Sequence, residues 1–170
     1  MADENPYAPP QADLTVSSPE TVDRPLALAG RGLRLVGAII DGVIAMVVTF
    51  PLMFVFGVWE TAIVNGLSFG QLVMVGLMGA GIFMLIHGYL LAKHGQTVGK
   101  HLVGTRIVSV TDGKILPFGR VIALRYLPLW VISQVPILGA LFSLADALFV
   151  FRDDRRCVHD LIAGTKVVGA

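Results

Sequence analysis

Four ionisable side chains, Asp41, His87, Arg125 and Asp146, stand inside stretches of sequence that are otherwise apolar. A lone charge deep in hydrocarbon costs about 3 kcal/mol on insertion scales, so such groups pair with one another or line a polar path. Carboxylates and an imidazole can take up and release protons, a carboxylate can ligate Na⁺, and a guanidinium beside them sets their charge state. The same residues could equally form a buried ion-pair cluster that fixes helix register. At a rise of about 1.5 Å per residue, Asp41 lies roughly 10 Å beyond Arg34, and Asp146 lies about 9 Å before Arg152. On that rise His87 falls about 9 Å before Lys93, and Arg125 about 8 Å beyond Arg120. All four reach a similar depth. The energetics predict Asp41 and Arg125 within salt-bridge or one-water reach, with Asp146 and His87 at the edge of that layer. Arg34, at the mouth of the first apolar run, reads as an interfacial anchor.

The elements that must position these groups are membrane helices. The run from Leu35 to about Val58 is broken only by Asp41, and that from Leu72 to Ala92 only by His87. Each matches the roughly 20 residues that one span needs. The last apolar stretch, residues 121–151, is too long for one span and short for two. At its centre Gln134-Val135-Pro136-Ile137-Leu138-Gly139 removes a helix donor and adds a glycine. The distribution of basic residues decides between a kink and a hairpin. Arg24, Arg31 and Arg34 precede the first run, the link at residues 60–70 has no Lys or Arg, and Lys93, Lys100, Arg106, Lys114 and Arg120 fill the next loop. Arg152, Arg155, Arg156 and Lys166 follow the last run. Both termini are therefore expected on the cytoplasmic side of the inner membrane, with four membrane helices, the last two short and joined at Pro136.

Composition agrees. Of 170 residues, 55% are hydrophobic and 15% charged, against about 25% charged in soluble domains, so the lipid bilayer is the expected surroundings. A net charge of +1 gives no reason to expect nucleic acid. Residues 1–30, rich in Pro, Ala, Asp and Ser, read as a disordered cytoplasmic tail rather than a signal peptide. The single cysteine, Cys157, sits beside Arg155 and Arg156; it can form no internal disulfide and reads as an incidental surface thiol on a reducing face.

Two segments sixty residues apart resemble each other: VGKHLVGTRIV from Val98 and VHDLIAGTKVV from Val158. In each a short helix should end at Gly-Thr, Gly104-Thr105 or Gly164-Thr165, and a β-branched strand begin. A two-stranded cytoplasmic element follows, with strands near residues 106–110 and 166–168 and with Lys100 and Asp160 facing as an exposed pair. The fold class is all-α membrane protein plus this small β element.

The run Arg34-Leu35-Val36-Gly37-Ala38-Ile39-Ile40-Asp41 resembles the opening helix of the RDD family of small bacterial membrane proteins, named for one arginine and two aspartates. Gln96-Thr97-Val98-Gly99-Lys100 and His159-Asp160-Leu161-Ile162-Ala163-Gly164-Thr165 are similar to its later motifs. The resemblance covers residues 31–170. It implies that Arg34 and Asp41 are the arginine and first aspartate, and that the second is Asp160 or Asp146, with Asp160 the better match. It also implies a membrane protein of a kind often proposed to transport ions or small solutes.

Other chemistry fits poorly. Gly95-Gln96-Thr97-Val98-Gly99-Lys100-His101 is one residue short of a phosphate loop between its glycines, and His101 stands where Ser or Thr should bind magnesium. His94, His101 and His159 read as solvated histidines, not a metal site, and no catalytic constellation or cofactor motif stands out. Ala38-xxx-Gly42 and Gly76-xxx-Ala80 permit close helix contact, within the chain or in a homo-oligomer. Two functions remain open: a small transporter of H⁺, Na⁺ or a small solute, or a non-transporting interaction protein whose basic cap docks a partner or anionic lipid.

Overall fold

A computed structural model describes residues 26–170. Two helices in it are long and apolar enough to cross a membrane, α1 (Arg31–Val55) and α3 (Phe69–His94). A short α2 (Val58–Val64) joins them at the far end, where Phe50, Phe54 and Trp59 pack with centroids 5.1–5.5 Å apart. α3 begins with a reciprocal cap: Ser68 Oγ accepts from the Gln71 amide, while the Gln71 side chain accepts from the Ser68 amide. It ends at Gly95, whose φ of +64° only glycine adopts cheaply.

The third apolar stretch is a hairpin bent at Pro136, as the sequence predicts. One arm comprises α5 (Phe118–Val121), a wide π turn (Ile122–Tyr126) and α6 (Leu127–Ser133). The other is α7 (Pro136–Leu148), closed by a 3₁₀ turn (Phe149–Phe151). The π turn has a local cause: Pro128 offers no N–H to the carbonyl of Leu124, so the helix cannot keep its usual register there. At the bend, a Cβ on Gly139 would lie 2.7 Å from Ser133 Cα, so glycine is what lets the two arms meet. Gln134 ties the bend back to α3 by donating to the Leu72 carbonyl at 2.8 Å. Gly76 makes room for that amide, since its Cβ would sit 2.8 Å from Gln134 Cδ. Gly76 therefore serves packing within the chain.

The cap is α4 (Val98–Leu102) followed by β1 (Thr105–Ser109), and α8 (Val158–Ala163) followed by β2 (Thr165–Gly169). The strands pair antiparallel with Ile107 opposite Val167, confirming the expected two-stranded element. Its outer edges are covered too: Ile107 N–H donates to the Gly95 carbonyl at 2.8 Å, and Ala29 N–H donates to the Val167 carbonyl at 3.0 Å. Ala29, which the sequence places in the tail of residues 1–30, is thus part of this edge. Leu28 bridges Val168, whereas residues 1–25 lie outside the described residues.

Ala29, Leu91, Ile107, Leu116, Val121 and Val167 form the buried core, where the cap sits on the helix ends. The long helices are otherwise bare: Leu85 is 87% exposed and Val55 77%. Such apolar surfaces suit lipid, not water.

Candidate functional site

Three carboxylates gather at the junction between cap and helices, each with its own partners. Asp41 lies where α1 crosses α4. The crossing is close because both helices place glycine there: a Cβ on Gly99 would collide with the Gly37 carbonyl oxygen and stand 2.8 Å from Asp41 Oδ1. That approach lets Asp41 accept from Thr97 Oγ1 at 2.5 Å and from the Gly99 amide at 2.7 Å. Lys100 Nζ stands 3.8 Å from Asp41 Oδ2. His87 is nearer in kind than in bonding. Its Nδ1 accepts the Val98 amide proton at 3.2 Å, so the ring is neutral with its hydrogen on Nε2, and the 3.9 Å approach of Nδ1 to Asp41 is no ion pair. Lys100 is the cation of this cradle. Burial, reinforced by the Arg125 guanidinium and opposed by Asp41, pushes its ammonium down to about 8.

Asp160, in the first turn of α8, is fully buried. It accepts from Arg34 Nη2 at 2.5 Å, from Arg125 Nη1, from Thr165 Oγ1 at 2.9 Å and from the Cys157 amide at 3.2 Å. Burial alone would raise this carboxyl, but the charges of Arg125, His159 and Arg34 hold it well below the usual carboxylate range. Arg34 also donates to the Arg155 carbonyl and, at 3.6 Å, to Cys157 Sγ. Arg125 also reaches Thr165 Oγ1 at 2.6 Å. The ring of Phe83 packs on His87 and Tyr126, at 4.8 and 4.6 Å between centroids, so α3 and the π turn are locked together beside both sites.

Asp146, on α7, receives the N-terminus of α8: it accepts the His159 amide at 3.0 Å and the His159 ring Nδ1 at 2.6 Å. Burial, then Arg125, lowers the His159 pKa against the pull of Asp146.

The structure therefore regroups the residues that sequence singles out. Arg125 pairs with Asp160 rather than Asp41, and Lys100 pairs with Asp41 rather than Asp160. His87 stands beside Asp41, and Asp146 beside His159. Arg34 is no interfacial anchor but a buried partner of Asp160. Cys157 is buried, because the residue at the N-cap of α8 turns inward with its helix. His159 is bonded rather than solvated. Gly164, at φ +65°, ends α8 so that Thr165 can face Asp160. Thr97, Gly37 and His159 are participants that sequence reasoning did not select. The sixty-residue repeat carried the signal for two of them: it aligns Thr97 with Cys157, both N-caps, and Gly99 with His159, whose amides each donate to a carboxylate.

The profile of the RDD family matches residues 28–164. An uncharacterized protein of Haemophilus influenzae is 27% identical over 146 residues, spanning 84% of this chain and 79% of that protein. No solved structure matches.

Proposed function

The chain belongs to the RDD family of small membrane proteins, and from that premise we propose a four-crossing, non-enzymatic inner-membrane protein that transports a proton, Na⁺ or a small solute through Asp41. Both termini and the cap face the cytoplasm in this reading, supported by the side on which Lys93, Lys114, Arg120, Arg152 and Lys166 collect. The observation that carries it is the state of Asp41. It sits on an apolar helix, its side chain keeps 17% exposure, and its cation stands at 3.8 Å rather than in tight contact. A carboxylate so placed can exchange what it holds. The wide apolar faces of α1 and α3, where Gly42 meets nothing within 4 Å, support a homo-oligomer as the working unit.

Proton and Na⁺ flux in proteoliposomes tests the transport reading. Wild-type protein should carry flux that Asp41→Asn abolishes while the variant still inserts and folds. Absence of flux in wild type across protons, Na⁺ and K⁺ would overturn it. A reporter fused after Ala170 and active only outside would overturn the topology.

A second reading rests on the exposed bases Lys93, Lys114, Arg120 and Arg152, which suit a protein that docks a partner or anionic lipid without transport. It is favoured if charge reversal at Lys93 and Arg120 removes stabilisation by anionic lipid in nanodiscs while Asp41→Asn changes nothing.

A further inference from the structure

We propose that Asp146, Cys157 and His159 form a binding site for a divalent transition-metal ion of the zinc class. The site is separate from the Asp41 cradle and does not depend on the transport reading. One donor atom from each residue lies within 4.8 Å of the other two. Tetrahedral Zn²⁺ with bonds of about 2.0 to 2.3 Å holds its ligands roughly 3.3 to 3.8 Å apart, so side-chain shifts of about 1 Å complete the set.

The donor chemistry is mixed thiolate, imidazole and carboxylate, which suits Zn²⁺ or Co²⁺ and not the oxygen-seeking Mg²⁺ or Ca²⁺. The backbone already fixes two of the ligands. Cys157 caps α8, and His159 stands two residues on with its amide bonded to Asp146 Oδ1. His159 Nδ1 and Asp146 Oδ2 share a hydrogen at 2.6 Å, and the ion takes the place of that hydrogen. The ring then carries its proton on Nε2, which lies 4.0 Å from Asp160 Oδ2, beyond hydrogen-bond reach. The Cys157 thiol loses its proton to solvent on binding. Arg34 Nη2, at 3.6 Å from the sulfur, donates to the resulting thiolate. Three protein ligands leave one position of the tetrahedron for water. Such an ion would staple α7 of the hairpin to α8 of the cap.

The test uses untagged protein, stripped of metal in detergent and titrated with Co²⁺ and then Zn²⁺. One Co²⁺ per chain should bind, with a thiolate-to-cobalt charge-transfer band that Zn²⁺ displaces. Cys157→Ser keeps a good helix cap and should remove the band and weaken binding by more than about 100-fold, beyond the loss of an outer-shell partner. Asp146→Asn should weaken binding similarly, and Zn²⁺ should raise the melting temperature of wild type but not of Cys157→Ser. Binding that survives Cys157→Ser without a charge-transfer band, or that disappears instead with His94→Gln and His101→Gln, would overturn the site.

Discussion

The Asp41 cradle and the Asp160 node are built on the same backbone device with the charges exchanged. Each half of the cap has an N-cap residue, a short helix, a glycine at φ +65° (Gly104 or Gly164) and a strand. Gln96 donates to the Thr105 carbonyl at 2.8 Å, and Arg156, sixty residues later, donates to the Thr165 carbonyl at 3.0 Å. Ile107 faces Val167, its own counterpart in the repeat, so the two strands are related by a local twofold axis. Into this common frame α4 sets a cation, Lys100, toward a carboxylate of α1. α8 sets a carboxylate, Asp160, toward a cation of the π turn. The difference lies in how fully each carboxylate is satisfied. Asp160 is fully buried with donors from four places; Asp41 keeps some exposure, a hydroxyl, one amide and an amine at 3.8 Å. A saturated group fixes geometry, whereas an incompletely satisfied one is free to exchange.

The strongest way to break that contrast is Asp160→Asn. It leaves Arg34 and Arg125 buried without a counter-charge, and loss of one partner of a buried pair costs about 3–5 kcal/mol. Folded yield and thermal unfolding in detergent should both collapse; survival at wild-type stability would remove the structural role. Gly99→Ala should cost about 1–3 kcal/mol, because overpacking would force α4 away from Gly37. Gly42→Ala, where nothing lies within 4 Å, is its control, and equal melting temperatures for the two would refute the close crossing.

Asp41→Asn should cost less, about 1–2 kcal/mol for a weakened hydrogen-bond set, and on the transport reading it should also abolish flux. A stability loss as large as that of Asp160→Asn would make both carboxylates structural. A pH dependence gives a further test. Lys100 titrates near 8 in the folded protein against 10.5 ordinarily, so the unfolded chain binds more protons between those values and stability should rise with pH across that window. Cys157, pushed up to about 11 from 9 by burial, acts in the opposite sense between 9 and 11. Melting curves are therefore best recorded in a Cys157→Ser background, where Lys100→Met should flatten the rise.

Much of this frame is legible in the sequence. Pro136 and Gly139 announce a bend, which the flanking basic residues resolve as a hairpin, the two Gly-Thr segments announce the strands, and the family-like runs single out Arg34, Asp41 and Asp160 as residues to watch. Partner choice is not legible. Helical rise gives the depth of Asp41 and Arg125 but not the direction each faces, and Arg125 lies within a π turn, where side chains depart from the regular helical spacing. Cys157 misleads for a related reason: its charged neighbours suggest a surface, while its place at the head of α8 turns it inward.

The arginines of the Asp160 node also set a timetable for biogenesis. Arg34 precedes its carboxylate by 126 residues and Arg125 precedes it by 35. At roughly 5–20 residues per second, Arg34 is added to the chain some 6 to 25 s before Asp160. Through that interval Arg34 has no carboxylate of α8 to pair with, and the cap can lock only after α8 has been made.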